Sequence, residues 1–274
     1  MLRESRHEQL LRILREEGVL PIGEIAKRLH VSEATARRDL DGLGKAGRLT
    51  RIYGGAVAHD AVARGPAERP FADEEGDDLA AKDAVARGAA RMVQDGDTVL
   101  LDIGTTTLRL ARLLHGRRVT VATSSLAVYE ELRDDPEVDL VLLGGQVRRN
   151  YRSLVGHLTE TSLSQLYADR LFLGTSGVLP DGRVLDSTDV EVPVKRAMLS
   201  AARQVVLLAV ARKFPGTGTA RVCGPGDIDV LVTNGTSGPD QAAGPEETGA
   251  QRHRTHDPAR LAAFREAGVE VVEV

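Results

Sequence analysis

The chain has 274 residues, of which 42% are hydrophobic and 28% charged, and its formal net charge is −4. This composition is typical of a soluble protein with one large domain, or a small and a large one. The longest apolar run, Val205–Ala211, is far shorter than the roughly 20 residues of a transmembrane helix, and Met1–Glu4 is charged where a signal peptide would be apolar. The single cysteine, Cys223, cannot form an internal disulfide and has no Cys or His neighbours at metal-binding spacing. We expect a cytoplasmic protein without a membrane segment, metal or cofactor.

The charge is unevenly distributed along the chain. Residues 1–58 hold 11 Lys and Arg against 8 Asp and Glu, whereas residues 59–274 hold 25 against 32. A basic N-terminal region on an acidic remainder is compatible with one module that binds nucleic acid and one that does not.

Three short helices and a hairpin are predicted in the first 58 residues. Ser5–Glu8 has the form of a capping box, a second helix follows Pro21, and Ser32 can cap a third. Arg48–Val57 alternates in polarity around a glycine pair, which predicts a β-hairpin. This order of elements predicts a winged helix-turn-helix domain over residues 1–58.

The third helix carries the candidate DNA-binding residues. If Ala36, Leu40 and Leu43 face the core, the helical period places Arg38 outward and Arg37 on the flank. Guanidinium groups suit guanine edges, and hydroxyls and N-terminal amides suit phosphates. A merely solvated charged face is the alternative, but the whole order of elements favours DNA. The predicted DNA-binding residues are Ser32, Thr35, Arg37, Arg38, Arg48, Arg51 and Tyr53.

A second domain is predicted after a linker at residues 59–78. From residue 79 to 274, apolar strands alternate with helical patterns, which predicts a mainly parallel sheet covered on both faces. Predicted strands are Thr98–Ile103, Val119–Ala122, Val138–Leu143, Arg170–Leu173, Val205–Ala209, Ile228–Val232 and Val269–Val274, and predicted helices are Lys82–Val93, Thr106–Leu114, Leu126–Leu132, Glu160–Leu166, Val190–Ala202 and Pro258–Ala267. Residues 235–256 are polar and rich in glycine, which predicts a disordered insertion.

Polar loops follow several of these strands. Asp102–Thr107 lies between a strand and a helix and offers hydroxyls, free helix amides and the helix dipole to an anion. Thr123–Ser125, Gly144–Gly145 and Gly174–Gly177 follow other strands. Because such loops converge at the carboxyl edge of an open α/β sheet, they predict one ligand crevice. Candidate effector-binding residues from this pattern are Asp102, Gly104, Thr105, Thr106, Thr107, Thr123, Ser124, Gly144, Gly145 and Gly174.

The first domain resembles the DNA-binding domain of DeoR-type bacterial repressors. The similarity runs through Ile25–Ala26, Val31–Leu40, Gly47–Arg51 and Tyr53–Ala56. Ala36 replaces the family's usual isoleucine, and Tyr53 its usual histidine. The resemblance implies binding to double-stranded operator DNA as a homo-oligomer.

The region from Lys82 to Val274 resembles the effector domain of the same family, whose fold is related to ribose-5-phosphate isomerase and the coenzyme A transferases. The resemblance implies a sugar-phosphate site that includes Asp102, Gly104, Thr105 and Thr106, with Gly144, Gly145, Glu191, Lys195 and Lys213 nearby. The family's usual aspartate is missing at Val210, and Ser124 stands where the family commonly has asparagine. A changed pocket is expected to prefer a changed ligand.

We therefore predict a transcriptional regulator, specifically a repressor of carbohydrate-metabolism genes controlled by a phosphorylated metabolite, with no catalytic residues. One alternative is a sugar-phosphate isomerase, in which Asp102, Asp186, Asp189 or Glu191 would act as the base. Another is a constitutive DNA-binding protein whose second domain only oligomerises. The sequence leaves open whether the effector releases DNA or promotes its binding.

Overall fold

The computed structural model describes residues 6–11, 13, 20–29, 31–45, 49–52, 55–58, 69–235 and 261–274. The chain divides into two compact units, Met1–Glu68 and Arg69–Val274. The division falls inside the predicted linker, residues 59–78. The predicted insertion 235–256 lies outside the described residues, except for Gly235.

The first unit contains helices and a small antiparallel sheet. Residues 6–11 are helical, and the elements that follow are β1 (Leu20–Pro21), α1 (Ile22–Arg28), α2 (Glu33–Lys45), β2 (Leu49–Ile52) and β3 (Gly55–Ala58). Strand β3 pairs antiparallel with both β1 and β2. The core contains Leu10, Ile25 and the stripe of Ala36, Leu40 and Leu43 on α2, which are all buried. The hairpin of β2 and β3 directly follows α2, the third helical segment of the unit, and this is the arrangement of a winged helix.

The second unit is built on a seven-stranded parallel sheet with the strand order β15-β14-β12-β9-β4-β5-β6. Its strands are β4 (Thr98–Leu101), β5 (Val119–Thr123), β6 (Val138–Leu142), β9 (Ala168–Gly174), β12 (Ala202–Leu208), β14 (Val230–Thr233) and β15 (Glu270–Glu273). Its helices are α3 (Phe71–Gly76), α4 (Leu79–Ala90), α5 (Thr105–Arg112), α6 (Leu126–Leu132), α7 (His157–Leu163), α8 (Val192–Ser200) and α9 (Ala262–Glu266). Every strand and helix predicted for this unit overlaps one of these.

Both faces of the large sheet are buried, because successive side chains of a strand point to opposite faces. Leu100, Leu171 and Leu207 pack in one cluster with Met198 of α8. Val99, Leu101 and Phe172 pack in the other, with α4, α5 and α6. Two covered faces explain why the strands are nearly continuous apolar runs, as in other parallel sheets.

Some short elements were not predicted. A hairpin of β7 (Gln146–Arg148) and β8 (Ser153–Val155) follows β6. The strands β10 (Gly177–Val178), β11 (Val184–Asp186) and β13 (Ala220–Cys223) form an antiparallel sheet. Helix α3 lies in the predicted linker. These elements are two to six residues long, too short for a periodic pattern to show.

The chain reverses its direction across the large sheet between β4 and β9. From β4 it continues to β5 and β6 on one side, whereas β9, β12, β14 and β15 follow one another on the other side. Ligands of open α/β sheets bind outside the carboxyl ends of the strands at such a switch point. The residues that follow β4 and β9 are therefore the expected location of a ligand site.

Two further features concern individual predictions. Among the described residues, no helix is both long enough and apolar enough to cross a lipid bilayer. Cys223 is buried on β13, where burial raises the pKa of its thiol to about 12. Its thiol is therefore protonated at neutral pH and suited to packing.

Candidate functional site

Helix α2 presents its arginines to solvent. Ser32 caps the helix: its Oγ accepts a hydrogen bond from the Thr35 amide at 3.3 Å and lies 3.0 Å from Thr35 Oγ1. Arg37 and Arg38 are exposed, while Ala36 and Leu40 of the same helix are fully buried in the core. The predicted faces of this helix are thus the observed ones. Arg48, Tyr53 and the side chain of Arg51 lie outside the described part of the chain.

Sequence reasoning missed Asp39, a carboxylate on the buried face of α2. Its side chain accepts hydrogen bonds from Arg6 Nε at 2.6 Å and lies 3.0 Å from His7 Nε2. Burial favours the neutral acid, but the hydrogen bonds of Arg6 and His7 outweigh it and lower the pKa of Asp39. Asp39 therefore ties the first helical segment to α2. The available signal was its position in the stripe of Ala36 and Leu40.

Asp102 and Gly174 meet at the switch point. The Gly174 amide donates a hydrogen bond to Asp102 Oδ2 at 2.9 Å, and the Lys195 ammonium forms an ion pair with the same oxygen. Lys195 Nζ also donates to the Gly174 carbonyl at 3.2 Å and lies 3.4 Å from Asp186 Oδ2. A Cβ on Gly174 would lie 3.3 Å from Asp102 Oδ2, so glycine allows this close approach. Three predicted residues from separate elements are thus brought together.

The charge on Lys195 is held by its surroundings. Burial disfavours the ammonium, but the negative charges of Asp102 and Asp186 outweigh that effect and raise the pKa of Lys195. An ion pair this deeply buried is costly to break, because removing one partner leaves the other charged and uncompensated.

Glu191, at the start of α8, belongs to the neighbouring part of this network. It accepts a hydrogen bond from Ser153 Oγ at 2.6 Å and forms an ion pair with Arg148. Burial raises the pKa of Glu191, and the hydrogen bond from Ser153 and the charge of Arg148 oppose that shift. Arg148 and Ser153, on the unpredicted β7–β8 hairpin, thus hold a predicted site residue.

The turn from Asp102 into α5 leaves two hydroxyls available. Gly104 has φ 137°, which favours glycine, and the Thr107 hydroxyl donates to the Gly104 carbonyl at 2.9 Å. The side chains of Thr105 and Thr106 form no hydrogen bond with any described residue. Thr107 therefore stabilises the turn, while Thr105 and Thr106 can donate to a ligand beside the first amides of the helix.

The next loop shows a similar division. Thr123 Oγ1 donates to the Leu101 carbonyl at 2.8 Å and accepts from the Ser125 amide at 3.0 Å, so it fixes the ends of β4 and β5. Ser124 Oγ is buried and has no hydrogen-bond partner among the described residues. A buried hydroxyl without a partner is costly.

Gly144 and Gly145 lie on the loop after β6 and contribute in different ways. The Gly144 carbonyl accepts a hydrogen bond from Thr159 Oγ1 at 2.7 Å. A Cβ on Gly145 would come within 2.1 Å of Thr159 Oγ1 and 2.8 Å of the Val155 carbonyl oxygen. Gly145 therefore lets the loop after β6 lie against β8 and α7, whereas a Cβ on Gly144 would meet no atom within 4 Å.

Lys213 lies on the loop that follows β12. It is half-buried in a short 3₁₀ turn, Ala211–Lys213. Burial lowers the pKa of Lys213, and the charge of Glu74 opposes that shift. Val210, at the position where the resemblance implies an aspartate, is buried and apolar. This loop therefore carries positive charge without that carboxylate.

Comparison with known proteins identifies the class. Residues 6–62 match the DeoR-like helix-turn-helix domain, and residues 77–235 match the DeoR C-terminal sensor domain. The chain belongs to the DeoR family of transcription regulators. It is 34% identical over 233 residues to the transcriptional repressor AccR of Agrobacterium fabrum, covering 84% of this chain and 89% of that one.

Two other similarities are to a sugar-system repressor and to a solved isomerase structure. The chain is 31% identical over 242 residues to the lactose phosphotransferase system repressor of Lactococcus lactis, covering 87% of this chain and 94% of that one. Ribose 5-phosphate isomerase A of Methanocaldococcus jannaschii aligns with a TM-score of 0.34 at 18% identity, over 46% of this chain and 50% of that one. The two domain matches confirm the family predicted from the sequence, and the strand order of the large sheet confirms the predicted mainly parallel α/β fold.

Proposed function

We propose that this protein represses carbohydrate-metabolism genes and that a phosphorylated sugar or related anion, bound at the carboxyl edge of the large sheet, releases it from operator DNA. Its two family domains, a helix-turn-helix and a sensor domain, support a DNA-binding regulator with a small effector. The names of its relatives, which include a lactose phosphotransferase system repressor, support a sugar-related operon.

One observation supports the effector site most strongly: polar groups from separate loops converge at the switch point, and several of their donors form no hydrogen bond with the described residues. Thr105 and Thr106 offer free hydroxyls at the start of α5, where helix amides and the helix dipole favour an anion. Asp102 Oδ1 receives no hydrogen bond from the described residues, so it can accept one from a sugar hydroxyl. Lys213 adds positive charge from the loop after β12.

The carboxylates of this region are held by protein groups, and the names of the relatives support sensing over catalysis. Asp102 is bound by Lys195 and the Gly174 amide, Asp186 accepts from the Thr188 amide at 3.0 Å, and Glu191 is bound by Ser153 and Arg148. Each of these carboxylates thus holds the site together, and Asp102 Oδ1 stays open for the effector. The relatives are named as regulators, and we expect no isomerisation when sugar phosphates are followed by NMR with the protein.

The test of the site is a titration of operator-bound protein with a panel of sugar phosphates, monitored by DNA dissociation and melting temperature. Thr105→Ala with Thr106→Ala should keep normal operator affinity yet lose the response to the effector. The matched control is Thr161→Ala with Ser162→Ala, which removes two hydroxyls from α7. If no panel member affects the wild-type protein, the sugar-phosphate assignment is abandoned.

The proposed DNA contacts are on α2. Arg37 and Arg38 would contact base edges in the major groove, and Ser32 and Thr35 would contact a phosphate at the helix start. Arg48, Arg51 and Tyr53 of the wing would contact the backbone beside it. The family resemblance supports operator binding as a homo-oligomer, and analytical ultracentrifugation with and without DNA tests it.

A further inference from the structure

The segment just before α4 is unusually acidic. Residues 71–78, the acidic strap, comprise α3 and the two residues after it. They contain five carboxylates and a single large apolar side chain, Phe71. A helix of six residues has little stability of its own, so contacts with the rest of the unit hold it.

Phe71 anchors one end of the strap. It is 2% exposed and packs against Leu108 of α5 and Ala127 of α6. The centroids of the Tyr151 and Phe71 rings lie 5.6 Å apart in an edge-on arrangement. The backbone amide of Phe71 donates a hydrogen bond to the Asn150 carbonyl at 3.0 Å. This end is therefore attached to the helices that follow β4 and β5.

Charge holds the other end. Arg212 lies 3.5 Å from Glu74 Oε2 and forms a second ion pair with Asp78. The buried ammonium of Lys82 donates to the Glu74 carbonyl. Lys213, next to Arg212, interacts electrostatically with both Glu74 and Asp78. This end is therefore attached to the loop that follows β12.

The strap consequently crosses the carboxyl edge of the sheet. Strands β5, β4, β9 and β12 are consecutive in the sheet, and the strap contacts elements that follow the first two and the last. The switch point between β4 and β9 lies between its two attachments. The strap thus spans the edge at which Asp102, Thr105 and Thr106 lie.

We propose that the acidic strap is an internal counterion, which holds the cations of the Arg212 loop until an anionic effector displaces Glu74 and Asp78. The inference rests on the proposed function. Three cations, Lys82, Arg212 and Lys213, lie close together and repel one another, so they require anions nearby. The two carboxylates supply negative charge without ligand, and a phosphate dianion can replace it.

Displacement would also supply a route to the other unit. Residues 59–70 join β3 to the strap, so the strap is the first element of the sensor that follows the connecting chain. A ligand shifts an equilibrium only by its differential affinity for two states. A sensor whose Glu74 and Asp78 ion pairs are broken would bind the anion more tightly than one whose ion pairs are intact, and this is the required difference in affinity.

The first test compares three full-length variants with the wild type. Glu74→Gln and the double variant Glu74→Gln with Asp78→Asn remove the competing charges. Asp78 has a left-handed backbone conformation, φ 48°, which asparagine tolerates. The Asp78 side chain does not cap α4, so its replacement removes no capping hydrogen bond. Asp73→Asn is the matched control, because Asp73 is exposed and its carboxylate forms no ion pair with a described residue.

The probe is inorganic phosphate, and the readout is its concentration at half-maximal thermal stabilisation. We expect that concentration to be at least about fivefold lower for the double variant, partly lower for Glu74→Gln and unchanged for Asp73→Asn. Binding by the double variant alone also supports the strap. Equal response by wild type and double variant overturns it and leaves the proposed function intact, and an equal shift with Asp73→Asn overturns it as a general charge effect. Failure of the wild type and every variant to bind phosphate overturns the strap proposal, and the proposed effector site then stands or falls with the sugar-phosphate titration.

A second measurement needs no mutation. Hydrogen–deuterium exchange of the wild-type protein should show faster exchange in the amides of residues 71–78 when phosphate is added. The amides of residues 104–107 should exchange more slowly in the same sample. Slower or unchanged exchange in the strap, together with protection at residues 104–107, would show that the anion binds without displacing it.

Discussion

Helix α2 and the switch point of the sensor sheet place their polar residues in opposite ways. On α2, Arg37 and Arg38 are exposed and follow each other on one helix, whereas Asp102, Lys195 and Glu191 are buried and come from separate elements. Exposed arginines are available to DNA at no cost to folding. Buried ionic groups must instead be paired with one another for the protein to fold, whether or not they also bind a ligand. We therefore expect substitutions to separate DNA binding from stability in the first unit and to affect ligand binding and stability together in the second.

The largest expected effect concerns the buried pair. Lys195→Met should destabilise the protein by about 3–5 kcal/mol, because it leaves Asp102 buried without its cation. Urea unfolding measures the loss. Adding Asp102→Asn should restore part of it, since the uncompensated charge is then absent. The control Arg91→Met, at an exposed position, should change stability by less than about 0.5 kcal/mol, and a loss of that size for Lys195→Met would refute the coupling.

The second prediction tests the exposed arginines. If Arg37 or Arg38 makes a bidentate guanine contact, its alanine variant should lose about 1–3 kcal/mol of operator binding and relax the sequence preference. Stability should be unchanged within about 0.5 kcal/mol, because both side chains are exposed. The wing variant Arg51→Ala should instead weaken binding to all sequences alike. Normal operator affinity of a folded Arg37→Ala, Arg38→Ala double variant would remove α2 from the interface.

The third prediction concerns Lys82, a buried cation. The negative charges near it offset only part of the cost of burying its ammonium group. Burial, together with the charge of Arg212, lowers the pKa of Lys82 from 10.5 to about 8. Between these values the unfolded chain binds more protons than the folded one, so stability rises with pH. Relative to Lys82→Met, the wild type should gain about 1–2 kcal/mol between roughly pH 7.5 and 9.5. A constant difference in unfolding free energy across this range would show that Lys82 keeps its ordinary pKa.

The same contrast explains what could be predicted from sequence. The face of α2 follows from the helical period, and the parallel sheet follows from continuous apolar runs, because both are local patterns. That Lys195 pairs with Asp102 depends on contacts between residues 93 positions apart. No local pattern indicated Arg148 or Ser153, which hold Glu191 from a three-residue strand each. Helix α3 was missed because Phe71 is its only buried residue and has no apolar partner at helical spacing.

The smallest expected effect tests an exception to the separation found on α2. Ser32 is a proposed phosphate contact, yet its Oγ also accepts the hydrogen bond from the Thr35 amide that caps the helix. Ser32→Ala should therefore lose about 1 kcal/mol of stability, and Ser32→Gly only a few tenths, because glycine leaves the helix end open to water. Both variants remove the hydroxyl, so both should lose any phosphate contact equally. Thermal unfolding and operator titration of the pair thus distinguish the two roles: unequal stability with equal DNA affinity is expected. A DNA affinity that follows stability instead would mean that Ser32 acts only by holding the start of α2.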